Sequence, residues 1–498
     1  MVAFGSRELS ETTLSEAHAT GTRGHIAFVF THGFMARMVL RSGVARQLIE
    51  QGFRVTAISP NTDESYFQEE CQQEHVALYQ EPQSTGRIAD WFRAYRPYLL
   101  DDVMGNVALR TKHEQRFAHH PLWRVVMECT NNHLAPHPWF RACVRQFEYR
   151  VNRSKPMARL LRALRPDYLV LPNPFGTQET VYMVHARALS IPVICQMLSW
   201  DNITSKGTPL MMPDYFISWG PIMTEEMTTL YHFPPERIYE CGVPHFDVYS
   251  QPEHLIPREV VLRRLGLPPT QPYLLYGMVA PYSAPRELDV ITWLVEKIRA
   301  QAFATPCSLV IRPHPQTIRG SYARDREELG KLQALTGPQV ALDMPPVLSE
   351  QLAWDLPKSD MYTLASLLAG SAICLSVGST LCLEACIVDC PVINVGFDGV
   401  EELPYDLSAR RGLDFIHIKK MLALGGVRVA QSFADLEAHI NTYLREPHLD
   451  RDKRAYTAAQ ECGPRDGRAV ERVAATVASL CQQREAGRRL PSSALCLG

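Results

Sequence analysis

Short apolar stretches alternate with amphipathic helical patterns along the chain, and this alternation constrains the fold more than any other feature. The first stretch, residues 25–30, ends in a turn at His32 and Gly33, and a helical pattern follows to about residue 51. Residues 54–58 form the next apolar stretch. A strand, a helix and a strand in this order make a βαβ unit, which implies parallel strands joined by a right-handed crossover. The pattern therefore predicts an α/β protein built on parallel sheets.

The alternation occurs in two blocks that are separated by a proline-rich stretch. Five prolines fall within residues 252–272, a composition typical of a linker. We therefore predict two doubly wound, Rossmann-like lobes at 24–250 and 271–480, joined by a linker at 251–270, with C-terminal helices in the second lobe. Beyond the first two, the predicted strands are 168–171, 192–198, 215–218, 273–276, 307–311, 340–342, 373–376 and 391–395.

Residues 87–165 interrupt the first block. They are rich in Arg, His and aromatic residues at helical spacing and contain no clear strand, so a helical insertion in the first lobe is predicted. The segments 1–23 and 481–498 carry no such pattern and are predicted to be flexible. Because ligands of open parallel sheets bind at the carboxyl ends of strands, the site is expected in the cleft between the lobes.

The charge balance argues against one class of partner. The chain of 498 residues has 51 Lys and Arg against 53 Asp and Glu, a formal net charge of −2. It lacks the basic excess that neutralises a phosphate backbone, so no nucleic acid partner is expected. Thirteen cysteines without CxxC spacing, and a polar start without a secretory signal, indicate the reducing cytoplasm.

Neither a metal site nor a membrane span is predicted, and no cofactor is expected. Cys382, Cys386 and Cys390 recur every fourth residue, which suits a metal face, but small apolar cysteines lining a buried helix are the more common arrangement. The apolar stretch 364–388 is interrupted by polar residues, among them Glu384, so it does not predict a spanning helix. Peripheral attachment to the inner face of a membrane is compatible with the sequence.

Two motifs of the second block are suited to bind an anion. Gly378, Ser379 and Thr380 follow a predicted strand and open a helix, where backbone N–H groups, two hydroxyls and the positive helix end can converge on a phosphate. Arg312 and His314, in an Arg-Pro-His-Pro sequence, end another strand on a loop that two prolines stiffen. An ordinary glycine turn and a surface histidine are the alternative readings.

Glu384 lies one helical turn beyond Thr380, on the same side of the predicted helix. Its carboxylate can accept hydrogen bonds from ribose hydroxyls. A capping or solvated glutamate is the alternative. A carboxylate in so apolar a helix needs some partner in either case, because an unpaired buried charge is costly.

Polar residues also follow the strands of the first block. His32 ends the first strand and is a candidate general base, since its pKa ordinarily lies near neutral pH; a helix cap or a packing residue is the alternative. Arg37 follows about one turn later. A loop after the strand at 192–198 adds an aromatic ring, a carboxylate, an amide and an ammonium group in Trp200, Asp201, Asn202 and Lys206. All these residues are expected to line the acceptor side of the cleft, although Asp and Asn are also common in ordinary turns.

Together these motifs resemble a known family, the GT-B glycosyltransferases, and especially the branch near CDP-glycerol glycerophosphotransferases and capsule-type transferases. The similarity covers about residues 24–444, and relatives of this fold include NDP-sugar 2-epimerases. The stretch from Trp219 to Asp247, with Gly242-Val243-Pro244, resembles the segment that precedes the second lobe in this branch. The resemblance to the donor half of this family lies in Arg312-Pro313-His314-Pro315, Gly378-Ser379-Thr380, Leu383-Glu384-Ala385 and Pro391-Val392-Ile393.

The resemblance implies a nucleotide-activated donor in the second lobe, with its phosphates near His314, Ser379 and Thr380 and its ribose near Glu384. The acceptor enters from the first lobe. The turn at His32 lacks the glycine-rich histidine motif of the peptidoglycan-precursor transferases, so the resemblance does not fix the base.

The predicted function is metal-independent transfer of a sugar or an alditol phosphate from this donor to an acceptor hydroxyl, in surface polysaccharide or glycoconjugate biosynthesis. His32 is the predicted base, Asp201 its orienting partner, and the acceptor a carbohydrate or a lipid-linked molecule. If neither residue matters, His113, His119 and His120 of the insertion are the next candidates. An NDP-sugar 2-epimerase and a non-catalytic nucleotide-binding subunit are the alternative functions.

Overall fold

The computed structural model describes residues 23–83, 86–319, 323–349 and 351–489. Most of the segment predicted to be flexible at the start, and the last nine residues of the one at the end, lie outside the described residues. All strand pairs are parallel. The strands are β1 (His25–Val29), β2 (Arg54–Ser59), β3 (Ala77–Gln80), β4 (Tyr168–Leu171), β5 (Val193–Gln196), β6 (Tyr215–Ser218), β7 (Ile238–Glu240), β8 (Tyr273–Gly277), β9 (Ser308–Arg312), β10 (Val340–Leu342), β11 (Ile373–Ser376), β12 (Val392–Val395) and β13 (Arg428–Ala430).

The strands form two separate sheets, which confirms the predicted α/β class with two Rossmann-like lobes. The first sheet has the order β3-β2-β1-β4-β5-β6-β7, and the second has the order β10-β9-β8-β11-β12-β13. Each order reverses once, between β1 and β4 and between β8 and β11. Ligands of open parallel sheets bind in the crevice at such a reversal, so the turns at His32 and Ser379 stand at the two expected crevices.

Helices cover both faces of each sheet, as expected for parallel strands that are buried on both sides. Outside the insertion, the α-helices up to residue 462 are Gly33–Ala36, Val44–Glu50, Ser65–Gln73, Thr177–Ala188, Asn202–Ser205, Pro221–Tyr231, Arg258–Arg264, Glu287–Arg299, Pro315–Arg319, Ala323–Ala334, Lys358–Gly370, Thr380–Ile387, Ile416–Ala423, Phe433–Arg445 and Arg451–Cys462. The predicted linker thus contains a helix, Arg258–Arg264, which buries Val261 and Leu262.

The helical pattern after β1, predicted to run unbroken to about residue 51, is split into three pieces. They are Gly33–Ala36, a π-helical segment Arg37–Arg41, and Val44–Glu50. The π segment turns two arginines inward, so that Arg37 is 5% exposed and Arg41 is 4% exposed. Segments of this kind are rare and often occur at functional sites.

The region 87–165 folds as helices in the first lobe. Arg96 and Glu148 form a buried ion pair between the first and fourth of these helices, with Arg96 Nε 2.9 Å from Glu148 Oε1. The same guanidinium donates to Thr180 Oγ1 at 3.2 Å, which ties the insertion to the helix behind β4. The helices are Arg87–Leu100, Val107–Phe117, Pro121–Cys129, Pro138–Val151 and Lys155–Leu164, with a π turn at Thr130–Leu134.

The last helix, Ala469–Arg489, is placed differently from the expectation that the C-terminal helices belong to the second lobe. It crosses back to the first lobe, where Val473 and Val477 join the apolar cluster formed by Ile26 and Phe28. It also continues past residue 481, where a flexible tail was predicted. Helical periodicity shows that an apolar stripe exists but not which sheet will cover it, so the sequence left this choice open.

Asp247 caps the start of this crossing helix. Its carboxylate is buried and accepts from the N–H groups of Ala469 and Val470, at 3.0 and 2.9 Å. Because Asp247→Ala leaves both donors without that acceptor, we expect it to lower the free energy of unfolding by about 1–3 kcal/mol, measured by denaturant titration. Asp247→Asn keeps one acceptor oxygen and should cost less. Equal stability of wild type and Asp247→Ala would show that the cap contributes nothing.

Candidate active site between the lobes

The lobes meet through residues 351–357, a segment that leaves the second lobe after β10 and lies on the turn after β1. Gly33 N–H donates to Ala353 O at 3.0 Å, and Arg41 Nη1 lies 2.5 Å from Asp355 Oδ1. The Asp355 carboxylate also accepts from Tyr66 Oη at 2.6 Å and is fully buried. A Cβ atom on Gly33 would lie 2.4 Å from Asp355 Cα, so only glycine allows this approach. The cleft is therefore closed at this edge by direct contact between lobes.

Trp354, at the centre of this segment, contacts both predicted site histidines. Its ring lies edge-on to His32 of the first lobe and His314 of the second, with centroid distances of 5.0 and 5.3 Å. The backbone of Trp354 has a φ of +56°, in the left-handed region that bulky residues rarely adopt. The structure thus brings together two histidines that are separated by 282 positions, and it adds an indole that no sequence motif indicated.

His32 caps the short helix Gly33–Ala36, because its Nδ1 accepts from Phe34 N–H at 3.2 Å. Burial, with a smaller contribution from Lys206, lowers the pKa of His32 to about 4, so the ring is neutral at pH 7. A neutral ring whose Nδ1 is an acceptor carries its proton on Nε2. The base role stays a prediction, and it requires the other tautomer, in which Nε2 is free to accept a proton.

His314 has the same arrangement in the second lobe. Its Nδ1 lies 3.2 Å from Gln316 N–H, and burial lowers the pKa of the ring to about 4. The neutral ring therefore offers an Nε2–H group as a hydrogen-bond donor. A hydrogen-bond donor at the end of β9 is suited to bind an anionic oxygen.

Arg312 is already occupied by two carboxylates. Its guanidinium is buried, lies 2.6 Å from Asp360 Oδ1 and also pairs with Asp343. The motif predicts that this residue contacts the donor. In the structure its guanidinium pairs with these two carboxylates at the end of β9, two residues before His314.

The turn after β11 leaves an open helix end. Gly378 has a φ of +55°, and its N–H donates to the Asn394 side chain. Ser379 is the cap residue of the helix Thr380–Ile387 but makes no side-chain bond to that helix, since its Oγ lies 2.8 Å from Ser376 Oγ. The positive end of the helix and the partly exposed Ser379 and Thr380 are thus available to an anion.

Glu384 of the second lobe lies within electrostatic range of Arg37 of the first lobe. Glu384 is 8% exposed and accepts from the Tyr249 hydroxyl, a partner that the sequence did not indicate. Burial raises the pKa of Glu384, and Tyr249, Arg37 and Arg312 oppose that shift. Among the described residues, the buried Arg37 Nε has no hydrogen-bond partner. The crevice therefore contains a guanidinium with an unused N–H group, within electrostatic range of a carboxyl group.

The loop with Asp201 is tied to the second lobe. Asp201 accepts from Ser199 Oγ at 2.5 Å and Ser205 Oγ at 3.1 Å, and burial, which disfavours its charge, is outweighed by Lys206 and His417, so its pKa lies below the usual value. Next to it, Trp200 packs edge-on against the His417 ring at 4.8 Å. A strongly ionised carboxylate is a weak base but a good partner for a cation.

The other residues of that loop differ in their exposure to solvent. Asn202 is buried and Lys206 is exposed, while Thr204 Oγ1 lies 2.8 Å from His417 Nδ1. His417 closes this edge of the cleft from the second lobe. It stands in no motif, so only the fold brings it to the site.

A pair of buried carboxyl groups lies beside the turn at His32. Thr31 Oγ1 donates to Glu179 Oε1 at 2.6 Å, and burial raises the pKa of Glu179. Burial and the nearby Glu179 raise the pKa of Glu81 to about 7. A carboxyl group with such a pKa exchanges protons near neutral pH. No motif indicated this pair, because its members follow different strands.

Two other features concern metals and membranes. In the part of the chain that the structure describes, no cluster of three or more His, Cys, Asp or Glu side chains is arranged to hold a metal ion. Cys382, Cys386 and Cys390 are buried free thiols. No helix among the described residues has both the length and the apolar character needed to span a membrane.

No protein-family model and no curated protein matches the chain. Solved structures do match over nearly the whole length, and they confirm the GT-B fold. A UDP-N-acetylglucosamine 2-epimerase described as putative, from Listeria monocytogenes, has 12% identity and a TM-score of 0.53, with 93% of this chain and 98% of that one covered. The Neisseria meningitidis UDP-GlcNAc 2-epimerase bound to UDP-GlcNAc has 11% identity and a TM-score of 0.52, with 91% and 100% covered. The S. aureus MnaA structure with UDP has 9% identity and a TM-score of 0.51, with 91% and 96% covered.

Proposed function

We propose that this GT-B protein is a metal-independent enzyme that transfers a sugar or an alditol phosphate from a nucleotide-activated donor to an acceptor hydroxyl. One observation carries the proposal. The open helix end at Ser379 and the His314 Nε2–H group follow β11 and β9, the two strands that flank β8 at the reversal of the second sheet. Hydrogen-bond donors that point into one crevice are suited to bind the phosphates of a nucleotide.

In the proposed reaction, the acceptor oxygen attacks the carbon or phosphorus atom that is bonded to the leaving phosphate. The bond to that phosphate oxygen breaks, and its electron pair stays on the nucleotide. His314 and the helix end at Thr380 stabilise the added negative charge, and Arg37 approaches from the first lobe. Glu384 accepts hydrogen bonds from the ribose.

The proton of the acceptor hydroxyl goes to a base of the first lobe. We assign this step to His32, in the tautomer that carries its own proton on Nδ1, so acceptor binding has to open the contact with Phe34 N–H. Asp201 orients the cationic groups around His32. Glu179, bonded to the adjacent Thr31, is the second candidate for the base.

We place the reaction in the cytoplasm, at the inner face of a membrane, with a carbohydrate or a lipid-linked acceptor of polysaccharide biosynthesis. A nucleotide-sugar donor is supported by the Neisseria structure, which is described as bound to UDP-GlcNAc and shares the fold.

A 2-epimerase is the second candidate function, and the fold shared with the Listeria and Neisseria epimerases favours it. The two functions differ in whether an acceptor is needed. We expect no change in a nucleotide sugar when it is incubated with the protein alone, and product only when an acceptor is added. Conversion without an acceptor would establish the epimerase.

His314→Ala tests the donor site. Loss of a hydrogen bond to a charged phosphate should weaken nucleotide binding by about 1.5–3 kcal/mol, with little effect on folding. Calorimetric titration measures the affinity, and His254→Ala, which replaces a half-exposed histidine, is the matched control. Unchanged affinity in a folded His314→Ala protein would remove His314 from the site.

Glu384→Gln separates ribose binding from a structural role. Glutamine keeps a carbonyl oxygen for the Tyr249 hydroxyl but removes the charge, whose burial raises the pKa of Glu384. We therefore expect the thermal midpoint to stay level or rise, while the donor dissociation constant increases. A fall in stability with unchanged donor affinity would make the carboxylate structural.

A further inference from the structure

The helix Pro121–Cys129 exposes its apolar side instead of burying it. Leu122 is 83% exposed, Trp123 56%, Val125 57% and Val126 49%, whereas Met127 is the one buried residue of the helix. A surface helix of a globular protein normally turns its apolar stripe to the core. This helix therefore has an apolar face without a partner in the described part of the chain.

The neighbouring helices of the insertion show the same feature. Nine of the sixteen exposed large hydrophobic side chains of the described residues lie between positions 88 and 147. Trp91 and Phe147, on two different helices, both contact the Phe92 ring, at 5.1 and 5.4 Å, so they lie side by side. Single exposed apolar residues are ordinary, but a concentration of this kind marks an interaction surface. The others of the nine are Ile88, Leu122, Trp123, Val125, Val126, Leu134 and Trp139.

The insertion also has a net positive charge, unlike the rest of the chain. Residues 87–165 contain 15 Lys and Arg against six Asp and Glu, a formal charge of +9, in a chain whose total is −2. The rest of the chain therefore carries −11. Arg87, Arg93, Arg145 and Arg150 are exposed on the same helices as the apolar residues. The partner of this surface must accept both apolar side chains and positive charge.

We propose that the insertion docks the protein on an anionic lipid bilayer, with the helix Pro121–Cys129 lying in the membrane interface. Negative headgroups above an apolar interior match an insertion that exposes arginines as well as Trp123 and Leu122. A second copy of this chain is the less suitable occupant, because dimerisation would bring together two insertions that each have a net charge of +9.

The docking surface is close to the reaction cleft. The helix Val107–Phe117 packs against Pro121–Cys129, with His113 Nε2 3.1 Å from Glu128 Oε1. The same helix reaches the loop at the cleft, where Lys112 Nζ donates to Ser205 O at 2.5 Å. A bilayer at this surface lies one helix away from the acceptor side of the cleft. Delivery of a lipid-linked acceptor rests on the proposed function, whereas the docking itself does not.

Sedimentation of the full chain with vesicles tests the proposal. We expect binding to vesicles of phosphatidylglycerol and phosphatidylcholine, weak binding to phosphatidylcholine alone, and loss of binding as salt is raised. The double variant Leu122→Ser/Trp123→Ser should bind at least tenfold more weakly. Arg145→Gln and Arg150→Gln should each weaken binding about fivefold, the fold-change for about 1 kcal/mol per arginine. Val400→Ser, which replaces a 78% exposed residue of the second lobe, is the control and should bind as wild type.

Each contrary outcome is distinct. Absence of binding to anionic vesicles, or an equal loss in Val400→Ser, overturns the proposal. A dimer in sedimentation velocity that Trp123→Ser converts to a monomer, without vesicle binding, assigns the surface to self-association instead. Nucleotide binding by the double variant reports on the proposed function separately. Loss of vesicle binding with intact nucleotide binding concerns only the docking, and the reverse concerns only the reaction.

Discussion

Replacing His32 by alanine is expected to lower turnover by roughly 10²–10⁴-fold and to leave donor affinity nearly unchanged. The imidazole belongs to the first lobe, whereas the groups that we propose bind the donor phosphates belong to the second. Turnover is measured as transfer from the nucleotide donor to an added acceptor, and affinity by calorimetric titration. An equal loss of donor affinity would place His32 in the donor site.

His32→Asn is the matched control for this prediction. Asparagine is a good helix cap and can accept from Phe34 N–H as the imidazole does, but it cannot act as the base. We therefore expect His32→Asn to fold as wild type and to be as inactive as His32→Ala. Full activity of His32→Asn would reduce His32 to a cap.

Asp201→Asn should lower turnover less than His32→Ala, because the role that we propose for Asp201 is to orient charged groups around the site. The opposite ranking would transfer the base role to Asp201. Inactivity of Glu179→Gln beside an active His32→Ala would transfer it to the carboxyl pair next to Thr31. If all three variants keep full turnover, the acceptor site lies elsewhere, and His113, His119 and His120 are the next residues to replace.

Asp355→Ala is expected to lower the free energy of unfolding by about 3 kcal/mol. Removing one partner of a buried ion pair costs about 3–5 kcal/mol, and the lower end applies because Arg41 keeps Glu70, whose Oε2 lies 2.9 Å from Nη2. The Tyr66 hydroxyl also loses its acceptor, Asp355 Oδ2. Urea denaturation measures the change, and Glu74→Ala, which breaks the surface pair with Arg46, is the control expected to cost about 0.2–1 kcal/mol.

The same contact between lobes can be tested without removing a polar group. A methyl group at Gly33 would overlap the backbone of Asp355, so Gly33→Ala should displace the segment 351–357 from the first lobe. We expect turnover to fall with it. Equal loss of stability in Asp355→Ala and Glu74→Ala, with an active Gly33→Ala, would show that closure through this segment has no role.

Much of the sheet architecture could be predicted from the sequence. The strands predicted at 168–171, 215–218 and 373–376 have the bounds found in β4, β6 and β11, because strands buried on both faces are continuous apolar stretches between turns. The edge strands β3, β7 and β13 have three or four residues and are only partly buried, so their apolar signal was too weak to predict them.

The site was predictable only where its residues are close in sequence. The turn at Ser379 and the loop at His314 are local motifs, and the fold places both at one crevice. Asp355 meets Arg41 across 314 positions, and the carboxylate partners of Arg312 come from two other segments. Contacts of this kind depend on how lobes and loops pack, which periodicity and motifs do not specify.

A nucleotide panel tests whether the second lobe binds a nucleotide through His314. UDP, CDP, CMP, GDP and ADP are each added to the wild-type protein and to His314→Ala, and thermal unfolding is followed. We expect at least one nucleotide to stabilise the wild type, by about 2.7 kcal/mol at 100 times its dissociation constant, and to stabilise His314→Ala less at the same concentration. If none of the five shifts the unfolding transition of the wild-type protein, the second lobe does not bind these nucleotides and the proposed function is wrong.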